Sequence, residues 1–314
     1  MVLTGNQIDL FEASMPRLKA IAYRLLGSAN DAEDAVQDTF LRWQAADVDR
    51  IEVPEAWLTK VLTNLCLNQL TSARARRETY VGQWLPEPLL AGDPMLGPAD
   101  TVEQRESVSF AVLALMERLS PNERVVYVLR EAFGYPHRRI AEILDATESA
   151  SQQLFHRAKK HIAEGRPRTE IDEAAARQVV DEFLTAATSG RTEPLVRLLT
   201  ADTVAIGDGG GKVPARTRPF EGAKAVATFM RSLFTPNQAA RNLLGGTAEI
   251  HVSYANGLPA LVVTVEGRVI SVMCLEITAD GIAAFRNQAN PDKLERATRQ
   301  WAATDHGEPA LRIN

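Results

Sequence analysis

Through the first half of the chain, apolar residues recur at spacings of three and four, the pattern of helices that bury one face. Over residues 15–26, Leu18, Ile21, Ala22, Leu25 and Leu26 share a side, and Gly27 closes the element. Asn30 then reads as an N-cap, with Glu33 as its capping-box partner. The helix that follows turns Ala32, Val36, Phe40 and Trp43 toward a core, while Asp34, Gln37, Asp38 and Leu41 face away. Residues 56–77 predict a further helix, entered at Pro54, with Leu58, Val61, Leu62, Leu65, Leu67 and Leu70 on its apolar side. Its other side carries Lys60, Asn64, Asn68 and Thr71, finished by Arg74, Arg76 and Arg77. Amides and cations on one face suit contacts to bases and phosphates. On this segment alone, a solvated face with arginines complementing the helix C-terminus is the better reading.

The helical pattern breaks over residues 79–103, where Pro86, Pro88, Pro94 and Pro98 alternate with Gly82, Gly92 and Gly97, as in a linker. Inside it lies Trp84-Leu85-Pro86-Glu87-Pro88, an apolar pair that is costly to leave exposed. We expect it to pack on a neighbouring helix or to dock on another domain. Helices resume over residues 104–168. Val108, Val112, Leu115, Met116 and Leu119 form a first stripe, and Ser120-Pro121-Asn122-Glu123 is a strong helix start. Two shorter helices follow, 136–144 and 147–162, joined by a turn at Asp145-Ala146 and with Thr147 as N-cap, a spacing that fits a helix-turn-helix. The second buries Phe155, Ala158 and Ile162 and presents Gln152, Gln153, His156 and Lys160. Gln bonds adenine edges, and Lys and His reach phosphate or guanine. Arg157, Lys159, Lys160, Arg166 and Arg168 against Glu164 make the neighbourhood basic.

Residues 169–314 change character. Helices are expected at 174–189, 193–199 and 223–234, with a short strand at 204–207 ending in the loop Asp208-Gly209-Gly210-Gly211-Lys212. Apolar runs at 248–254, 260–265, 269–277 and 282–286 are broken by Asn256-Gly257, Glu266-Gly267 and Asp280-Gly281, which are hairpin turns. Helices followed by an antiparallel meander predict an α+β roll.

Composition narrows the reading. The 314 residues suffice for two or three domains, and a net charge of −5 excludes a uniformly basic nucleic-acid binder, so any DNA contact must come from local patches. Cys66 and Cys274 are the two cysteines, far apart, and no Cys/His cluster suggests a disulfide framework, a metal site or a cofactor. With no signal pattern and no long apolar run, we expect no membrane association and a cytoplasmic location.

The segments DAEDAVQDTFLRW and PEAWLTKVLTNLCLNQL together resemble region 2 of the extracytoplasmic-function (ECF) sigma factors of bacterial RNA polymerase. LSPNERVVYVLREAFGYPHRRIAEIL followed by QLFHRAKK resembles region 4 of the same family, in the same order. The resemblance implies that Asp34, Gln37, Asp38 and Leu41 dock on the β′ clamp of core RNA polymerase. It further implies that Lys60, Asn64, Asn68, Arg74, Arg76 and Arg77 read the −10 promoter element. Gln152, Gln153, His156, Arg157 and Lys160 would read the −35 element, with region 4 also gripping the β flap. Trp57 matches the tryptophan that opens the −10 helix, although a plain core role suits it as well. Two departures stand out: Arg139 occupies a position usually acidic in the family, and the turn at Asp145 lacks the usual glycine.

The last part resembles the SnoaL-like, or NTF2-like, cone-shaped roll. WLPEP, DGGGK and Asn290-Pro291-Asp292-Lys293-Leu294 together resemble the sigma subgroup with such a domain fused at its C-terminus. The resemblance implies that these three motifs make interdomain contacts by which the added domain regulates the sigma factor in cis. DGGGK could cradle phosphate, but it departs from the Walker spacing and no Ser or Thr follows Lys212.

We therefore expect two all-α sigma domains, region 2 over residues 1–78 and region 4 over 104–168. A linker at 79–103 joins them, and an α+β roll over 169–314 regulates. Core RNA polymerase and promoter DNA are the expected partners, and the roll offers room for a small-molecule ligand. The expected activity is transcription initiation, without catalysis by the chain itself. Two other readings differ in class: a one-component helix-turn-helix regulator that senses a small molecule, and a cyclase or isomerase in which Asp208, His251 and Asp292 line one closed cavity.

Overall fold

The computed structural model describes residues 5–78, 80–97, 104, 107–164, 172–235 and 246–313, apart from the side chains of 6 and 73–78. It falls into two units, one of residues 1–79 and 92–166, the other of residues 80–91 and 167–314. The proline-rich linker is thus divided: its first part belongs to the C-terminal unit, its second to the helical one.

The helical unit begins with α1 (Gly5–Leu26), α2 (Ala29–Ala45) and α3 (Pro54–Glu78). Leu18, Ile21, Tyr23, Leu25, Trp43, Leu58 and Leu62 form their shared interior. The N-cap of α2 is Ser28, two residues ahead of Asn30: its side chain accepts from the Asp31 backbone N–H. Asn30 already has helical neighbours on both sides, so its side chain is not needed as a cap. Phe40 is half-buried, with its ring 4.9 Å from that of Phe11.

Further along lie α4 (Phe110–Met116), α5 (Pro121–Tyr127), α6 (His137–Ile143) and α7 (Glu148–Glu164). The capping box at Ser120 and Glu123 forms in full. Past Tyr127 the helix widens into a π-turn over Val128–Ala132 and stops before Gly134. Two buried arginines tie the first three helices to the later ones within this unit. Arg124 donates to the Leu25 carbonyl at 2.7 Å, the Met116 carbonyl at 3.0 Å and Glu117 at 2.5 Å, so it closes the orphan C-terminal carbonyls of α1 and α4. Arg24 donates to Ser107 Oγ at 2.9 Å and lies over the Phe133 ring at 5.3 Å. Burial lowers both guanidiniums, Arg24 to about 10 and Arg124 to about 9.

The C-terminal unit holds α8 (Glu173–Thr188), α9 (Glu193–Leu198), β1 (Leu199–Asp208), β2 (Phe220–Glu221) and α10 (Ala223–Phe234). Then come β3 (Ala248–Ala255), β4 (Leu258–Val265), β5 (Arg268–Thr278), β6 (Gly281–Gln288), α11 (Glu295–Ala302) and β7 (Leu311–Ile313). Among the described residues the strands form one sheet in the order β2-β1-β6-β5-β4-β3-β7, with β1 and β6 parallel and the other pairs antiparallel. Asn256-Gly257 and Glu266-Gly267 both carry positive φ at both residues, as tight hairpins require.

One sheet face packs on α8–α10 through Ala205, Ile250, Leu261, Met273, Leu275 and Phe285 against Val180, Phe183, Val226, Met230 and Phe234. Strand alternation puts Asp208, His251 and Gln288 on the other face. That face is covered by α11 and by residues 80–91, here called the strap.

Candidate functional site

On α2, Asp34, Gln37 and Asp38 are exposed, and Leu41 is 53% exposed, large for an apolar side chain. On α3, Leu58, Leu62, Cys66 and Leu70 are buried, which leaves Lys60 and Asn64 half-buried and Asn68 exposed along one line. Arg74, Arg76 and Arg77 continue the helix, and their side chains lie outside the described residues, as do Arg166 and Arg168. Trp57 is half-buried with its ring 5.6 Å from that of Trp43, a packing role. On α7, Ala158 and Ile162 are buried, Phe155 is half-buried, and Gln152, Gln153, His156, Arg157 and Lys160 are exposed.

Three of these residues pair with carboxylates within the helical unit, Lys160 with its helix neighbour Glu164 at 4.0 Å. Lys60 Nζ reaches across to the α6–α7 turn, donating to the Glu142 carbonyl at 2.8 Å and to Asp145 Oδ1 at 2.7 Å. Nearby, Thr59 Oγ1 and the Tyr135 hydroxyl are 3.1 Å apart, and Arg17 covers the Tyr135 ring. Asp145, in the turn between α6 and α7, adopts φ 51°. Its short side chain tolerates that region, and it receives Lys60. Arg157 Nε is 3.1 Å from Glu123 Oε1. Burial raises the Glu123 carboxyl, but the Ser120 N–H and hydroxyl, with Arg157, bring it below the ordinary value. Arg139 pairs with Glu142 at 2.5 Å within its own helix.

In the C-terminal unit the three motifs converge on Asp208, which has no exposed surface. Its Oδ1 accepts from the Tyr80 hydroxyl at 2.6 Å and the Gly210 N–H at 3.0 Å. Its Oδ2 accepts from the Leu85 N–H at 2.9 Å, Gln288 Nε2 at 3.1 Å and Lys293 Nζ at 2.7 Å. Lys293 also donates to the Leu85 carbonyl at 2.7 Å and lies 4.4 Å from the Trp84 ring centre and 4.9 Å from that of Tyr80. Burial, then the bond to Asp208, holds the Tyr80 phenol well above its ordinary value. Asn290 Nδ2 donates to the same hydroxyl at 3.0 Å. Lys212 pairs with Asp292 at 2.6 Å on the surface. A side chain at Gly209 would meet the Val213 carbonyl at 2.3 Å and one at Gly210 would meet Asn290 at 2.3 Å, so Gly209 serves the tight turn of the loop itself and Gly210 the close packing of DGGGK on NPDKL.

The strap continues past Trp84 with Leu85 to Leu90 all buried. Leu89 exchanges bonds with Asn256, N–H to Oδ1 and carbonyl to N–H, both at 2.9 Å. The Ala91 N–H donates to the Tyr254 carbonyl at 3.0 Å. Burying Leu85, Leu89 and Leu90 stabilises docking by roughly 1.5–3 kcal/mol each, and the polar bonds fix the register. Sequence reasoning missed Tyr80 within the strap and Asn256, Gln288 and Gln300 as its partners. Their spacing carries no signal, because they meet only through the sheet.

Asp208, His251 and Asp292 do not line one cavity. Asp208 lies under the strap, His251 under Trp301, and Asp292 at the surface. β1 and β3 are four places apart in the sheet, about 19 Å at the usual strand spacing. This removes the geometric basis of the cyclase or isomerase reading. An open groove of about 780 Å³ lies instead between α8 and α9, lined by charged residues such as Arg177, Asp181, Glu182 and Arg197. Both cysteines are fully buried, and burial raises each thiol far above its ordinary value. Among the described residues no helix is long and apolar enough to cross a membrane.

Comparison with known proteins agrees with this geometry. The sigma-70 region 2 family matches residues 10–76, and the sigma-70 region 4 family matches residues 109–162. The chain is 37% identical over 295 residues to the ECF RNA polymerase sigma factor SigJ of Mycobacterium tuberculosis, covering 92% of this chain and 93% of that protein. It is 37% identical over 185 residues to the probable ECF RNA polymerase sigma factor SigI of the same organism, covering 57% of this chain and 62% of that one. The crystal structure of M. tuberculosis SigJ superposes with a TM-score of 0.70 at 33% identity, covering 91% of this chain and 97% of that chain. With both sigma regions in order and a relative alike over nearly its whole length, the chain belongs to the ECF sigma factors of RNA polymerase.

Proposed function

We propose that the chain starts transcription by joining core RNA polymerase and promoter DNA, and that its C-terminal unit governs this in cis by holding the strap. Asp34, Gln37, Asp38 and Leu41 are the contact for the β′ clamp, where an exposed leucine beside carboxylates suits a basic, partly apolar partner. Region 4 also grips the β flap. Lys60, Asn64 and Asn68, followed by Arg74, Arg76 and Arg77, engage the −10 element. Gln152, Gln153, His156, Arg157 and Lys160 engage the −35 element in the major groove. In the free chain Lys60 and Arg157 are held by carboxylates, so promoter binding exchanges those partners for phosphate or base.

The observation that carries the cis-regulation is the Asp208 centre, where one buried carboxylate gathers donors from the strap, from β6 and from the NPDKL turn. A linker with no regulatory role does not need a buried charge to fix it. Run-off transcription with core polymerase tests this, comparing the full chain, a chain ending after Arg168, and Asp145→Gly in the full chain. Transcript from either of the first two is expected, with a difference in yield that gives the sign of the C-terminal unit's effect. Asp145→Gly removes the carboxylate that holds Lys60, leaving only its bond to the Glu142 carbonyl, and more transcript is expected at limiting promoter. Absence of transcript and of core binding in every case overturns the sigma mechanism. Equal yields from full and shortened chains overturn the cis-regulation.

A further inference from the structure

We propose that His251 is a proton-sensitive latch: its neutral ring keeps α11 seated on the sheet and the strap docked, and its protonation in mildly acidic conditions loosens both. This rests on reading the strap as the regulated element.

His251 lies on the outer face of β3, is 7% exposed, and its buried Nδ1 has no hydrogen-bond partner among the described residues. The Trp301 ring meets it edge-on at 5.0 Å, and His306 stacks on Trp301 at 3.5 Å, with its ring 6.2 Å from that of His251. The His306 ring nitrogen is bonded to the Trp301 carbonyl. Trp301 is therefore the anchor of α11, a helix of eight residues whose other buried residue is Ala297. The same helix holds the strap. Gln300 Nε2 donates to the carbonyls of Leu90 at 3.3 Å and Ala91 at 3.0 Å, and Lys293, just ahead of the helix, holds Leu85 and Asp208.

A neutral imidazole tolerates this site, but a charged one does not. Protonation makes both ring nitrogens donors, with no acceptor placed at Nδ1, and puts a charge in an apolar setting. The facing groups do not offset this. β3 supplies Glu249, which is engaged by Arg312 of β7 at 3.0 Å. The loop after α11 supplies His306, α11 supplies the uncharged Trp301, and β4 supplies the uncharged register partner Val262. Burial holds His251 below its ordinary value. Glu249 pulls it up, and His306 and Arg312 push it further down. With the docked value depressed, the stabilisation is full above the ordinary imidazole value of about 6.5 and is lost as pH falls through it.

Hydrogen exchange of the full chain, expressed as protection factors corrected for intrinsic rate, reads this at the amides of Leu85, Leu89, Ala91 and Thr298. Between pH 7.5 and 5.5 the opening equilibrium is expected to rise by up to about tenfold, the limit set by an imidazole of ordinary pKa in the open state. In His251→Phe the protection is expected to be the same at both values, whereas His306→Ala keeps the pH effect. Unchanged protection in the parent chain, or loosening that persists in His251→Phe, overturns the latch. If His251→Phe fails to fold, NMR titration of the His251 ring in the parent chain decides. A midpoint below 6.5 supports the latch, and one at or above 6.5 overturns it. Run-off activity at pH 7.5 does not depend on the latch, so its failure leaves the sigma reading standing.

Discussion

Removing the carboxylate at Asp208 tests how tightly the strap is held. Asp208→Ala deletes the acceptor for Tyr80, Gly210, Leu85, Gln288 and Lys293 at once. It also removes the carboxylate that Lys293 pairs with, in a site where the lysine side chain is 15% exposed and the aspartate fully buried. Breaking one side of a buried ion pair costs about 3–5 kcal/mol, which corresponds to a roughly hundredfold or larger rise in the open population of the strap. Chymotrypsin reads that population, because the strap carries Tyr80 and Trp84 and cleavage there yields two fragments of distinct mass. With rapid closing, the cleavage rate follows the open fraction. Lys293→Met alone leaves the carboxylate with four neutral donors and is expected to cost less. The double variant removes both charges, so its effect falls short of the sum of the two by at least about 1.5 kcal/mol. A rise under about threefold for Asp208→Ala, or additivity within about 0.5 kcal/mol, would refute the centre as the element that fixes the strap.

In the helical unit, Arg124→Met keeps most of the volume but removes the donor to the Leu25 and Met116 carbonyls and the cation that Glu117 contacts. A loss of about 3–5 kcal/mol is expected in thermal unfolding, and a loss under about 1 kcal/mol contradicts the capping role. Glu123 sits below its ordinary carboxyl value, so it stabilises the fold above pH of about 4.5 and loses that contribution as pH falls through and below it. Glu123→Gln is therefore expected to be less stable than the parent at pH 7 by about 1–2 kcal/mol and to match it near pH 3. Circular dichroism on acid titration measures the gap, and a gap constant with pH goes against the assignment.

Sequence reading was strongest where local chemistry decides. The Ser120–Glu123 box, the Asn256-Gly257 and Glu266-Gly267 turns, and the 223–234 helix each depend on residues a few positions apart. It placed the α2 cap at Asn30 because the capping-box spacing to Glu33 is good, yet Ser28 lies in extended backbone and takes the role. α11 and β7 escaped notice: Ala297 and Trp301 give eight polar-rich residues too little periodicity, and three residues at a sheet edge give none. The exposed faces of α2, α3 and α7 followed from periodicity, since a helix that buries Leu58, Leu62 and Cys66 must show Lys60 and Asn64 elsewhere. What periodicity cannot give is long-range pairing. Lys60 with Asp145, or Gln288 with Leu85, joins positions scores of residues apart, and only the tertiary fold brings them together. The family's missing glycine at Asp145 was visible in the sequence. Its use as a seat for Lys60 was not.

The strap is part of the chain it restrains, and this sets the law its release obeys. Docking is a unimolecular equilibrium, so dilution does not undock it and raising expression does not saturate it. Pro86 and Pro88 carry no N–H and hold the backbone near its extended form before docking, so little conformational entropy is lost when the strap settles. Because the strap stays covalently attached, a competitor for the Asp208 surface has to outcompete an intramolecular partner and not a free one. The fraction docked is thus a property of each molecule, identical in a cell with ten copies and in one with ten thousand.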